Sequence, residues 1–149
     1  MIKNMLKKEN IRILEEPLPW KEAIQYAVQP LIDTGYVETR YVEEIIHNTL
    51  EMGPYYVIAK DLAFLHARSD QGVIAKQLAV TVAKNTIHFS DTKSAKLLIV
   101  LAAEDSESHM DTLSKLAKIF MDQTKIQDIC ALNNIEEIYD KFLEVDMEG

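Results

Sequence analysis

Two histidines sit where an imidazole could do chemistry. His66 lies in "FLHARSDQGV", between an apolar approach and a polar exit that carries Arg68, Asp70 and Gly72. A histidine nucleophile needs one ring nitrogen unprotonated and facing solvent, with the other held by an acceptor that fixes the tautomer. Gly72 lets the following loop turn sharply. Arg68 can offer its guanidinium fork to an incoming phosphoryl group, or pair with Asp70 at the surface. His109 falls in the expected first turn of a helix that starts just after a buried strand. In open α/β sheets that place holds anions, because the first N–H groups have no intrahelical partner and favour negative charge. The same dipole disfavours a protonated imidazole. A neutral His109 could then donate an N–H to a phosphoryl oxygen; a histidine that merely decorates a helix start fits the spacing equally.

His47 and His88 read as solvated or locally hydrogen-bonded side chains. His66, His109 and Asp70 are of types that suit zinc, which keeps a metal-dependent hydrolase among the alternatives, but no H-E-x-x-H pair supports a metal site. A Gly-rich phosphate loop, a G-x-S-x-G elbow and a dinucleotide fingerprint are all absent, so no motif asks for a cofactor.

The elements that must position these residues fit one domain spanning residues 1–149. A chain of 149 residues with 48% hydrophobic content has material for one substantial core. Its 24 acidic against 16 basic side chains give a net charge of -8, which repels phosphate backbones and anionic membrane surfaces. Nucleic acid is therefore not an expected partner. The start, "MIKNMLKKENIRIL", lacks a signal-peptide core, and no apolar run reaches the roughly 20 residues that span a bilayer. A cytoplasmic protein without membrane insertion is expected. The single cysteine, Cys130, excludes an internal disulfide and reads as a buried structural thiol.

"WKEAIQYAVQPLIDT" predicts a helix from Trp20 to Thr34, bent or interrupted near Pro30 and stopped at Gly35. A second helix runs from Thr39, its expected cap, to Gly53-Pro54. Extended segments follow. "YYVIA" is aromatic and β-branched, "KQLAVTVA" alternates larger Leu78, Val80 and Val82 with smaller Ala79, Thr81 and Ala83, and Asn85 could turn the chain into "TIHF". "KLLIVLAA", Lys96 to Ala103, is nearly unbroken and reads as a central strand covered on both faces. A helix capped by Ser106 follows, with Met110, Leu113, Leu116, Ala117, Phe120 and Met121 as its apolar stripe. Two shorter helical patterns close the chain, near Lys125 to Leu132 and Ile135 to Leu143. Helices, then strands, then helices packing back on the sheet make an α/β domain.

Over nearly the whole chain the sequence resembles the enzyme IIA components of the sugar phosphotransferase system, in the mannitol/fructose class and most closely its ascorbate-type branch. The blocks that carry the resemblance are "WKEAIQYAVQPLIDTGYVETRYVEEII", "GPYYVIA", "HARSDQGV" and "LLIVLAAEDSESHMDTLSKLAKIF", in that order. The resemblance implies a mixed sheet flanked by helices. It also implies a phosphocarrier whose His66 takes a phosphoryl group from the histidine-containing phosphocarrier protein. The group then passes to a cysteine of the cognate enzyme IIB, which serves a membrane IIC component, in uptake of ascorbate or a related sugar. His109 matches the family's supporting histidine. Arg68 and nearby backbone N–H groups are expected to help hold the phosphoryl oxygens, and Phe64, Leu65 and Val73 are candidates for a partly apolar rim, with core packing as their alternative role. The chain departs from the family pattern in three places. Leu65 replaces a proline before the histidine, Ala59-Lys60-Asp61 replaces an "APG"-like turn, and "NTLEMGPYY" lacks an upstream arginine. The altered loop before His66 keeps a second reading in view, a regulatory module of the same fold that binds partners according to its phosphorylation state.

Overall fold

The computed structural model describes residues 2–148, the side chain of Glu148 excepted. Five strands form one mixed sheet: β1 (Ile11–Leu14), β2 (Val57–Ala59), β3 (Asp61–Leu65), β4 (Gln77–His88) and β5 (Ser94–Ala102), in the spatial order β1-β4-β5-β3-β2. The unbroken apolar run of β5 is central, as expected. Leu97 to Ala102 are all buried because both faces of the sheet are covered. β3 and β5 run parallel, with Leu65 opposite Val100, while β4 runs antiparallel to β5 and β1 parallel to β4. The carboxyl ends of β3 and β5 therefore lie side by side at one edge of the sheet. The two edge strands are short, of four and three residues, which limits the exposed backbone ladder.

The alternation read in β4 sorts the two faces. Ala79 and Ala83 belong to a core with α1 (Trp20–Asp33) and α2 (Arg40–Met52), and small side chains there let the helices approach closely. Leu78, Val80 and Val82 point into the second core, formed with α3 (Ser106–Ile119), α4 (Gln123–Cys130) and α5 (Ile135–Glu148). β1 belongs to no expected element. It joins the sheet through its parallel pairing with β4, which a four-residue stretch does not announce.

Several local readings are corrected by tertiary contacts. α1 is not interrupted at Pro30 but runs through it. Pro30 has no N–H for the carbonyl of Tyr26, and Arg12 of β1 donates to that carbonyl instead at 2.9 Å while stacking 3.6 Å over the Tyr26 ring. Asn85 does not turn the chain: β4 continues to His88 through a register irregularity between Val82 and Ile87, and the Asn85 amide donates to Glu15 O at 2.9 Å. Thr39 precedes α2, but its hydroxyl caps no first-turn amide. The cap of α3 is Asp105, not Ser106; its carboxylate accepts from Ser108 N at 2.7 Å. Met110 and Met121 are 65% and 82% exposed and do not join the core stripe of α3. Cys130 is half-buried rather than enclosed, and desolvation pushes its thiol up to about 11, which keeps it unreactive.

Candidate functional site

His66 follows the last residue of β3, and His109 lies in the first turn of the helix fed by β5, so the two adjacent parallel strands deliver both histidines to one place. Their rings stand 4.7 Å apart between centroids at 61°. Both line an open cavity of about 580 Å³, together with Asn48, Tyr55, Arg68, Asp70 and Ser106, and with Met52 and Met110 at its edge. Phe64 and Leu65 are not rim residues: both are fully buried in the sheet, Phe64 toward α3–α5 and Leu65 toward α1 and α2. The apolar rim belongs to Met52 and Met110, which are 63% and 65% exposed.

The acceptor that fixes the His66 tautomer is a backbone carbonyl. His66 Nδ1 lies 2.6 Å from Phe64 O. A carbonyl only accepts, so Nδ1 carries the proton and Nε2 keeps its lone pair. Burial lowers the His66 pKa to about 4; the Phe64 bond opposes this and neighbouring His109 adds to it. Burial also lowers the His109 pKa. Near neutral pH the site therefore holds two neutral imidazoles.

The loop after His66 is tied down residue by residue. Tyr55 donates its hydroxyl hydrogen bond to His66 O. Ala67 N donates to the Tyr41 hydroxyl at 3.1 Å, and that hydroxyl donates to Leu101 O at 2.6 Å, joining the loop to the end of β5. Arg68 N donates to Gln71 Oε1 at 2.8 Å, and the Asn48 amide donates to the same oxygen at 3.0 Å. Arg40 donates to Asp70 O at 3.2 Å. Gly72, at φ 118, closes the loop against α2; a Cβ there would stand 3.4 Å from Tyr41 N. The N–H groups of Ala67 and Arg68 are thus already used within the loop's own anchoring.

Arg68 takes its surface alternative in this structure. Its Nε lies 3.2 Å from Asp70 Oδ1, and its side chain is 71% exposed. Among the described residues lining the cavity it is the one permanent cation. Arg40 is committed to Glu38 at 3.3 Å and to the loop. Among the described residues no group of three or more His, Cys, Asp or Glu side chains could hold a metal ion, and no helix is long and apolar enough to cross a membrane.

Tyr41, Asn48, Tyr55 and Gln71 were not singled out as site residues from the sequence. Asn48 left one legible sign: it falls seven residues after Tyr41 and three after Ile45, on the buried stripe of α2, where a polar side chain is unusual.

The chain is similar to known proteins over nearly its whole length. The ascorbate-specific PTS system EIIA component of Salmonella choleraesuis is 28% identical over 140 residues, covering 92% of this chain and 91% of that protein. The mannitol-specific cryptic phosphotransferase enzyme IIA component of Escherichia coli is 25% identical over 134 residues, 89% of this chain and 91% of its own length. The enzyme IIA chain solved in complex with phosphorylated enzyme IIB of the Escherichia coli mannitol system has the same fold. Its TM-score is 0.79 at 23% identity, over 94% of this chain and 95% of that one. The signature of the family described as "Phosphoenolpyruvate-dependent sugar phosphotransferase system, EIIA 2" matches residues 4–145. With a mixed five-stranded sheet between helices and two histidines at its edge, the chain belongs to that family and is an enzyme IIA phosphotransferase component of a sugar phosphotransferase system.

Proposed function

We propose that His66 is the phosphoryl carrier of this component, with Nε2 as the atom that bears the group. The observation that supports this is the Nδ1 contact with Phe64 O, which leaves Nε2 deprotonated in a ring that lines the cavity. The Nε2 lone pair attacks phosphorus of a phosphohistidine on the histidine-containing phosphocarrier protein. The donor's P–N bond breaks and its electron pair returns to the donor imidazole. In the second step a cysteine thiolate of the cognate enzyme IIB attacks the same phosphorus, a P–S bond forms, and the pair of the breaking P–N bond returns to Nε2. Both steps need positioning and charge neutralisation more than covalent help.

His109, neutral and beside His66, donates an N–H to a phosphoryl oxygen. Arg68 supplies the permanent charge by leaving Asp70. An exposed pair of this kind is worth only about 0.2–1 kcal/mol, so a phosphoryl group competes for it readily. Met52 and Met110 form an adaptable apolar rim on which two different partners can seat in succession. The ascorbate-specific relatives, which stand beside mannitol-specific ones, support ascorbate or a related sugar as the cargo, and in this reading the component works in the cytoplasm alongside a membrane IIC component.

Incubation with phosphoenolpyruvate and the general phosphocarrier proteins should place one acid-labile phosphate on the protein, and His66→Ala should abolish it. Persistent labelling of that variant would refute His66 as carrier. A protein that accepts the phosphate but never passes it to an enzyme IIB cysteine would be a regulator, not a transport component.

A further inference from the structure

Tyr55 has no part in the transfer just described, yet it touches the carrier histidine twice. Its hydroxyl donates to His66 O, and its ring meets the His66 ring edge-on, 5.1 Å between centroids at 84°. The contact that sets the tautomer, Nδ1 to Phe64 O, spans two residues, so it survives only while the backbone of Leu65 and His66 and the torsions of the imidazole stay fixed. Leu65 does not fix its own φ as a proline would. The imidazole borders an open cavity, where its ring neighbour is His109.

Tyr55 is itself held firmly enough to provide that restraint. It follows the turn at Gly53, whose φ of 79 ends α2, and its N–H donates to Gly53 O at 2.8 Å. Its ring packs at 4.9 Å against fully buried Tyr56, whose hydroxyl lies 3.0 Å from Thr49 Oγ1. Beside the phenol lies Asn48, 6% exposed and bonded to Gln71, which accepts from Arg68 N on the histidine loop. Burial raises the phenol's pKa, so it remains a donor across the working range of pH.

We propose that Tyr55 is the positioning residue of His66: its hydroxyl and ring edge together fix the carbonyl and the imidazole so that Nε2 stays turned to the cavity. The proposal rests on the carrier role of His66. In chemical terms Tyr55 supplies orientation, and no bond to phosphorus passes through it.

The test is Tyr55→Phe, which keeps the ring edge and removes only the hydroxyl, with Tyr55→Leu removing both. The nitrogen-15 NMR shifts of the His66 ring in the unphosphorylated protein report its tautomer. Transfer kinetics from the phosphocarrier protein report kcat and KM separately. In Tyr55→Phe the proton should spread from Nδ1 to both nitrogens and kcat should fall about tenfold with KM unchanged; Tyr55→Leu should lose more of both. An unchanged tautomer and kcat in the two variants overturns the proposal. So does a rise in KM alone, which would mark a docking residue, or a fall in melting temperature with intact kcat, which would mark plain packing. The tautomer measurement needs no phosphate, so a failure of the carrier role and a failure of the positioning role are read separately.

Discussion

The two halves of the site are built to opposite specifications. On the α2 side, the segment from His66 to Asp70 is anchored at its carbonyls and amides by Tyr55, Tyr41, Gln71 and Arg40, side chains that come from α2, from the connection after it or from the loop itself. On the α3 side, no hydrogen bond among the described residues reaches the His109 ring, whose ring neighbour is His66. His66 is held and His109 is left adjustable. A nucleophile gains from preorganisation because its line of attack must be fixed before the donor arrives. A group that follows the phosphoryl oxygens through an incoming and an outgoing transfer gains from freedom to shift.

Substitutions on the two sides should therefore fail differently. The largest effect is expected at Tyr41, fully buried, whose hydroxyl serves both Ala67 N and Leu101 O. Tyr41→Phe should cost about 1–3 kcal/mol of stability, measured by denaturant unfolding, with transfer lost in proportion as the loop loosens. A variant as stable as the wild type would show that the loop does not depend on its anchors. His109→Gln should give the reverse pattern, with transfer slowed about tenfold while labelling persists and stability changed by less than about 0.5 kcal/mol. Unchanged kinetics would make His109 a decoration of the helix start, and a large stability loss would erase the contrast.

The most diagnostic effect is on pH. His66 is lowered from its ordinary 6.5 to about 4, and His109 is lowered as well. For a base depressed by folding, the unfolded chain takes the proton first. The stability tied to these rings is thus complete above about 6.5, drains away as pH falls from 6.5 toward 4, and has no further to fall below that. Denaturation midpoints at pH 7, 5.5 and 4, with NMR titration of the ring protons, test this; titration of the His66 ring near 6.5 would show that its burial is not as described. The two rings couple, so the first proton belongs to the pair.

The framework was legible wherever a local pattern decides the outcome. The unbroken run of β5, the alternation of β4 and the stripes of α1 and α2 each state a period that only one environment satisfies. The rule about strand ends and helix starts marked the place of His109, and the family resemblance set it beside His66. What escaped depends on residues far apart in the chain. Asn48 meets Gln71 across 23 positions and Tyr41 meets Ala67 across 26, and no local signal announces either meeting. Met110 was misread for a related reason: a stripe marks one side of a helix but not which of its members overhangs an opening. The three departures from the family pattern now have local answers. Asp61 adopts the left-handed φ of 64 that a glycine would take more easily, Leu65 is fully buried and paired with Val100, and the permanent cation at the cavity is Arg68.

The parallel pairing of β3 with β5 has one more consequence. Neighbouring strands in any sheet lie about 4.8 Å apart, and the two imidazoles are separated by 4.7 Å. The ladder brings the ends of β3 and β5 together, and α3 carries His109 from there to His66. Loops of other lengths could be grafted around such a place, and partners exchanged, while the sheet went on bringing the two rings together.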